Sequence, residues 1–420
     1  MIKFFMTMIL GFWLNVLVAQ PYSLNDCWEL SRNHYPLIQG KALLKHITEA
    51  NIKNIRVQWF PRMEISGQAS WQNDVTHVEM GDAMTGLNIP SAPKDQYKIA
   101  LDVSQAIYDG GRIQNQSQME EISGKIEQQN IEIQIYEVKQ RVTNLFFQIL
   151  MLEEKELQVQ KKIETLQSRI NELHSALDNG MISRGEVNTL EAEELMARQQ
   201  QVALQYGLVA LLDNLSSYVG REITSAKQLS KPEASDFLVP EIRPEYRLFE
   251  LQKTKTGMAA LLVQSNRRPV ISAFAQGGYG NPGYNMLKDQ FDSFMMIGIR
   301  LKWNPWDWKQ SKRQKMSLLN ETGLVDLKKE TFSVNQQRIH TQLNGEISQY
   351  LAMIELDQDI VSLREKVAWE SEKKLKNGMV TSADYVSDLN AVMNARLNKG
   401  IHRLEYLQGM ALKYLAGAQE

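Results

Sequence analysis

The residues best placed for specific chemistry lie at two short turns, Asn179-Gly180-Met181-Ile182-Ser183 and Asn377-Gly378-Met379-Val380-Thr381. Each turn is followed by an acid three residues after its hydroxyl side chain, Glu186 after Ser183 and Asp384 after Thr381. Glycine at the end of a long helix takes the left-handed cap conformation cheaply. A Ser or Thr followed at the third position by an acid fits a capping box, which starts the next helix. These motifs make turns and can offer a surface for recognition; neither supplies a nucleophile or a base. The six histidines (34, 46, 77, 174, 340 and 402) have no ligand-spaced partners, and Cys27 is the sole cysteine. A disulfide framework and a cysteine zinc cluster are thereby excluded. No Gly-rich phosphate loop or nucleophile elbow is present. No cofactor, metal or enzymatic activity is expected.

Turns of this kind need long helices to carry them. From Gly111 to Leu177 there is no proline. A heptad seam runs through Ile135, Val138, Val142, Leu145, Ile149 and Leu152, then Val159, Ile163, Leu166, Ile170, Leu173 and Leu177. Steps of three and four residues predict coiled-coil packing. Phe146, Phe147 and Leu150 lie beside the seam and predict contacts on a second side. At 1.5 Å per residue such a helix spans about 100 Å. After each turn a return helix is expected, the first carrying Val187, Leu190, Ala197, Leu204, Leu208, Leu211 and Leu215. The second long helix reads Leu343, Ile347, Tyr350, Ile354, then shifts register to Leu356, Ile360, Leu363 and Val367. Such a shift is a stutter that locally changes supercoiling.

Four strands stand at the other end of these helices. Tyr97, Ile99, Leu101, Val103, Gln105 and Ile107 alternate with Lys98, Ala100, Asp102, Ser104 and Ala106. Phe291, Ser293, Met295, Ile297, Ile299, Leu301 and Trp303 alternate with Asp292, Phe294, Met296, Gly298, Arg300 and Lys302. Met63 to Trp71 alternates in the same way, and Val270 to Tyr279 is weaker and rich in small residues. Period two with one apolar face is a strand pattern, and about 10 residues is the length of a tilted membrane strand. Trp71, Tyr108, Trp303, Trp306 and Trp308 sit near strand ends, as membrane-interface aromatics do. Lys98, Asp102, Arg300 and Lys302 would face a wet lumen. Four strands cannot close a barrel, and open edges are not tolerated in lipid, so several chains must pool their strands.

Organisation follows from repetition. Tyr108-Asp109 returns as Trp306-Asp307, and the first turn returns as the second, both about 198 positions later. The expected layout is a signal peptide over 1–20 and a first repeat over 21–220 with strands 62–75 and 96–108 and a tip at 179–187. A linker over 221–243 follows. The second repeat covers 244–420, with strands 269–280 and 291–303 and a tip at 377–385. The loops 76–95 and 281–290 would face outward. A net charge of −2 over 420 residues, with no basic block, argues against nucleic acid as a partner.

In the order of these elements, the Tyr108-Asp109-Gly110-Gly111-Arg112 junction and the paired Gly-x-hydrophobic-Ser/Thr turns, the chain resembles the TolC-like outer-membrane efflux protein family. The fold class this implies is mainly α with a membrane β-barrel portion. Long antiparallel coiled-coil helices would form a trimeric α-barrel, and four strands per chain would contribute to a twelve-stranded outer-membrane β-barrel. The resemblance implies a homotrimer in the outer membrane of a Gram-negative bacterium, in contact with outer-membrane lipid and reaching through the periplasm. Its implied partners are a periplasmic adaptor (membrane fusion protein) and an inner-membrane transporter of the RND or ABC type. It implies adaptor docking at Gly180, Met181, Ile182, Ser183 and Val187 with Gly378, Met379, Val380 and Thr381. Gate candidates are Glu186, Asp384 and Asp388; a second acid one turn after Asp384 would fall at Ser387, and Asp388 is adjacent. The alternative reading is a structural coiled-coil envelope protein that transports nothing.

Overall fold

A computed structural model describes residues 21–75, 91–286 and 288–417. The expected signal peptide and residues 76–90 of the first outward loop lie outside the described residues. The described chain is mostly helical, in the order α1 (Leu24–His34), α2 (Gly40–Arg56), β1 (Arg62–Trp71), β2 (Asp95–Tyr108), α3 (Arg112–Asp178) and α4 (Arg184–Val219). It continues with α5 (Pro244–Ser265), β3 (Val270–Asn281), β4 (Asp292–Lys302), α6 (Gln310–Lys376) and α7 (Ser382–Ala416). Both long helices, α3 and α6, have 67 residues. No helix among the described residues is long and apolar enough to cross a membrane.

The chain divides into two compact units, and each draws on both halves of the sequence. One comprises Gln39–Ile133 and Pro244–Ser333. Its centre is a four-stranded antiparallel sheet in the order β1-β2-β3-β4. The central β2–β3 pairing joins the strand pair of one half to that of the other, with a register shift between Ala106 and Tyr108. Up to that shift partners keep odd with odd (Ile65 with Leu101, Ile99 with Tyr279, Ala273 with Ile299), so the odd positions share one face; beyond it Tyr108 pairs with Ile271 and joins that face. Where the strands meet the long helices, Asp109 accepts from the Gly111 and Ile113 amides at 2.9 and 2.6 Å. Asp307 accepts from the Ser311 amide at 3.0 Å. Each carboxylate satisfies helix N-terminal donors that would otherwise lack a partner.

The other unit comprises residues up to Ile38, Gln134–Arg243 and Val334–Glu420. Its main core gathers Cys27, Trp28, Val142, Phe146, Phe147, Ile149, Leu150, Leu215, Ile223 and Ala411, all buried. The Trp28 indole N–H donates to the Thr143 hydroxyl at 3.0 Å, and its ring stacks on Tyr414 at 5.7 Å. Burial, with a smaller push from Asp26, raises the Cys27 thiol to about 12, so it serves as a small apolar filler.

The heptad seam of α3 is buried from Ile135 to Leu166 at Ile135, Val138, Val142, Ile149, Val159, Ile163 and Leu166. The second seam follows expectation at Leu343 and Ile347, which are buried, but not after the register shift: Leu356, Ile360, Leu363 and Val367 are exposed, whereas His340, Asp357, Val361, Ser371 and Leu375 are buried. The buried set steps by three, four or ten residues, all whole turns of one helix face, but it carries polar side chains that hydropathy passes over. Asp357 is tolerated there because it bonds the His402 ring at 2.9 Å across to α7.

Candidate channel wall and helical tips

On the sheet, the odd face is apolar and exposed: Met63, Ile65, Ile99, Leu101, Met295, Ile297, Ile299 and Leu301 all lie open. An uncovered band of this size is unusual on a soluble surface. Aromatic residues bound it at both ends. Tyr108, Trp303, Trp306 and Trp308 stand exposed at the helix-proximal end. At the opposite end Trp71 is exposed with Tyr97, Tyr279 and Phe291, and Phe291 stacks with Tyr97 at 6.3 Å and with Tyr279 at 5.6 Å. This second girdle was missed from the sequence beyond Trp71. Parity placed Tyr97, Tyr279 and Phe291 on the outer face, but only the strand register brings them to one height.

The strand register puts Lys98, Asp102, Arg300 and Lys302 on the even face together. Asp102 accepts from Gln276 at 2.6 Å and from Ser66 at 3.4 Å. Two phenylalanines interrupt this polar face. Phe274 lies over Gly298 and Phe294 over Gly278, their cross-strand partners, where an added Cβ would come within 2.8 and 2.3 Å of the rings. Arg300 and Lys98 then sit on those rings, 4.8 and 4.9 Å from the centroids.

The tips belong to the helical unit. Gly180 and Gly378 have φ of +71° and +66°. At the first tip the Gly180 amide donates to the Leu177 carbonyl and that of Met181 to Ala176, both at 2.9 Å. At the second, Gly378 donates to Leu375 at 3.0 Å and Met379 to Lys374 at 2.8 Å. Both are Schellman caps, which satisfy the last carbonyls of the long helices. Met181 and Met379 are exposed; Ile182 and Val380 pack partly against a core of Leu166, Leu173, Val187, Leu190, Leu375, Tyr385 and Leu389. Val187 is only 1% exposed, so it supports the tip from within and presents no contact surface.

The helix starts after the tips differ from expectation in one respect. Thr381 and Asp384 form the full capping box: Asp384 donates its amide to the Thr381 hydroxyl at 3.2 Å, and its carboxylate accepts the Thr381 amide at 3.0 Å. The Thr381 hydroxyl, which donates to that carboxylate at 2.7 Å, and then the Thr381 amide hold the Asp384 carboxyl below its usual range. Ser183 makes no side-chain cap. Glu186 instead accepts the Ser382 amide at 2.6 Å, and so caps α7 rather than its own helix. Asp388 lies one turn beyond Asp384, half-buried.

Charged pairs tie the two hairpins together below the tips. Arg169 of α3 pairs with Glu372 of α6 and with Glu172. Lys376 lies 3.5 Å from Glu172 and 3.6 Å from Glu372. Tyr385 is packed beside Arg169, and burial pushes its phenol up. Further along, Glu193 of α4 meets Lys162 of α3 and accepts from Asn390 of α7 at 3.2 Å. Burial opposes Glu193 ionisation, yet Lys162 and Asn390 hold its carboxyl below the usual range. Among the described residues no group of three or more His, Cys, Asp or Glu side chains could hold a metal ion.

Residues 30–221 match the family model described as outer membrane efflux protein. No curated protein sequence matches the chain. Among solved structures it is similar to the outer membrane protein VceC from Vibrio cholerae, with a TM-score of 0.65 and 12% identity, covering 94% of this chain and 97% of that one. It is also similar to the CmeC outer membrane channel of Campylobacter jejuni (TM-score 0.65, 12% identity, 94% and 86% covered). A third is the open-state MtrE outer membrane channel of Neisseria gonorrhoeae (TM-score 0.65, 13% identity, 94% and 88% covered). At these identities the structural likeness is one of fold. The resemblance to the TolC-like outer-membrane efflux proteins is met by a family match over residues 30–221 and by a likeness of fold.

Proposed function

We propose that this chain, which matches the outer membrane efflux proteins over residues 30–221 and shares a fold with channels of that kind, is the outer-membrane component of a tripartite efflux or type I secretion system. It acts as a passive trimeric exit duct. The observation that carries this reading is the sheet. Its odd face is an exposed apolar band between two aromatic girdles, its even face is largely polar, and β1 and β4 are open edges. Lipid accepts such a sheet only when the edges are closed by strands from other copies. Three copies would give a twelve-stranded barrel with Lys98, Asp102, Arg300 and Lys302 toward the water. The exposed Leu356, Ile360, Leu363 and Val367 of α6, with Val202, Tyr206 and Val209 of α4, likewise await helices of neighbouring copies.

In this reading the two halves are copies of one structural unit, and the tips form the periplasmic mouth. Gly180, Met181, Ile182 and Ser183 with Gly378, Met379, Val380 and Thr381 dock a periplasmic adaptor, which links the duct to an inner-membrane transporter of the RND or ABC type. Glu186, Asp384 and Asp388 narrow the closed entrance, where a carboxylate held ionised, such as Asp384, repels its counterparts in other copies. Transport itself needs no chemistry from the duct. Conductance in planar bilayers tests the proposal: purified assembly is expected to open aqueous channels once the tips are loosened. Well-folded assembly that conducts under no opening condition would support the scaffold reading instead.

A further inference from the structure

A cleft of about 500 Å³ lies within the helical unit, between α3, α6, α7 and the chain at Lys231–Pro232. Its floor is apolar and buried, made by Val361, Leu404 and Leu407. Its rim is cationic: Lys161, Lys231, Arg396, Lys399 and Arg403 face two carboxylates, Glu154 and Glu365. Three of the five cations are engaged. Arg396 donates to Glu365 at 2.9 and 2.6 Å, Lys399 to Gln358, and Lys231 lies 3.9 Å from Glu154. Lys161 and Arg403 have no partner for their charged heads among the described residues.

Gln158 supplies an independent observation. It lines the same cleft, is 5% exposed, and donates its amide N–H to Glu154 at 3.0 Å. That donation fixes which end of the amide is oxygen, because the Glu154 carboxylate only accepts. The Gln158 carbonyl oxygen is left buried with no donor. An unmet buried acceptor is destabilising, so a donor placed against it is favoured. The helices are brought together to build this site at Gly400, where an added Cβ would meet the Glu154 side chain at 2.6 Å.

We propose that this cleft binds a small hydroxylated organic anion. Its charged group lies between Lys161 and Arg403, a hydroxyl donates to the Gln158 carbonyl, and its carbon skeleton covers the apolar floor. The proposal goes beyond the duct reading and does not depend on it, since every residue involved lies in the helical unit. Two probes separate the parts. Glycerol 3-phosphate carries both anion and hydroxyl donors, whereas sulfate carries the anion alone.

The test is calorimetric titration of the full chain, as purified, at low ionic strength. Saturable binding at one site per chain is expected, with glycerol 3-phosphate about tenfold tighter than sulfate. Lys161→Gln combined with Arg403→Gln weakens both probes about tenfold or more. Gln158→Met removes the preference for glycerol 3-phosphate and leaves sulfate unchanged. Circular dichroism and bilayer conductance of the surface double variant should match the parent, which separates loss of this site from loss of the duct. The proposal is overturned if neither probe saturates, or if the double variant binds as the parent does. It is also overturned if Gln158→Met leaves the preference intact, which would mean that a water, and no ligand hydroxyl, meets that carbonyl.

Discussion

At Gly180 and Gly378 the chain makes the same left-handed turn and ends the two long helices with the same pair of backbone bonds, yet the helices that follow are capped differently. The second tip is self-sufficient, with Thr381 and Asp384 meeting each other's needs. The first leaves Ser183 without a side-chain cap and sends Glu186 across to the Ser382 amide, so one tip steadies the other. The strand-to-helix junctions repeat the contrast. Gly110 and Gly111 hold φ of +72° and +87°, and about 198 residues later Trp308 and Lys309 hold +49° and +63°. Side chains with a Cβ accept that conformation at a cost of roughly 1–2 kcal/mol each. The difference teaches that one backbone plan has been kept while the surroundings decide which residue may occupy it.

Substitutions can break that contrast, beginning with the crowded junction. An alanine at Gly110 would bring its Cβ within 2.7 Å of the Arg268 side chain and 3.0 Å of the Ser265 carbonyl, besides the positive φ. Gly110→Ala should therefore cost about 3 kcal/mol, read as loss of hydrogen-exchange protection at the start of α3. Glu186→Ala comes next, removing a charge-assisted bond to the Ser382 amide for about 2 kcal/mol while the Thr381–Asp384 box stays in place, seen as faster exchange near Ser382. Equal loss of protection in both tips would contradict the asymmetry.

The tip glycines face open space, so only the backbone term applies to them. Gly180→Ala and Gly378→Ala should each cost about 1 kcal/mol of local stability, by the same measurement. Trp308→Gly, at an exposed position, should stay within about 0.5 kcal/mol of the parent in thermal unfolding, since strain relief is offset by greater freedom of the unfolded chain. The smallest effect is a pH dependence. With its carboxyl held low, Asp384 contributes its cap fully above the unfolded value near 4 and loses it as pH falls through the lower folded value. Amide exchange at Tyr385 between pH 5 and pH 3 should show this, and Asp384→Asn should abolish it.

Much of this architecture was legible because it is local. Strand parity, the α3 seam and the two cap glycines each depend on neighbours a few residues away, and the backbone follows them. The first capping box does not form because the Glu186 carboxylate takes the Ser382 amide, a partner 196 positions away that is visible only once α7 lies beside α4. The α6 seam is legible at Leu343 and Ile347 but not beyond, because its later buried positions include Asp357 and Ser371, while the apolar Leu356, Ile360, Leu363 and Val367 face away from the chain. Hydropathy ranks burial without saying against what. The second aromatic girdle needed the register of three strands, which no single strand carries.

The central claim is that the open sheet is one part of a closed wall shared among copies. Native mass spectrometry of the assembly extracted from the outer membrane tests it most directly. The account predicts a single species of three chains, twelve strands in all, that persists in detergent. A stable, folded monomer with its β1 and β4 edges unpaired would contradict it.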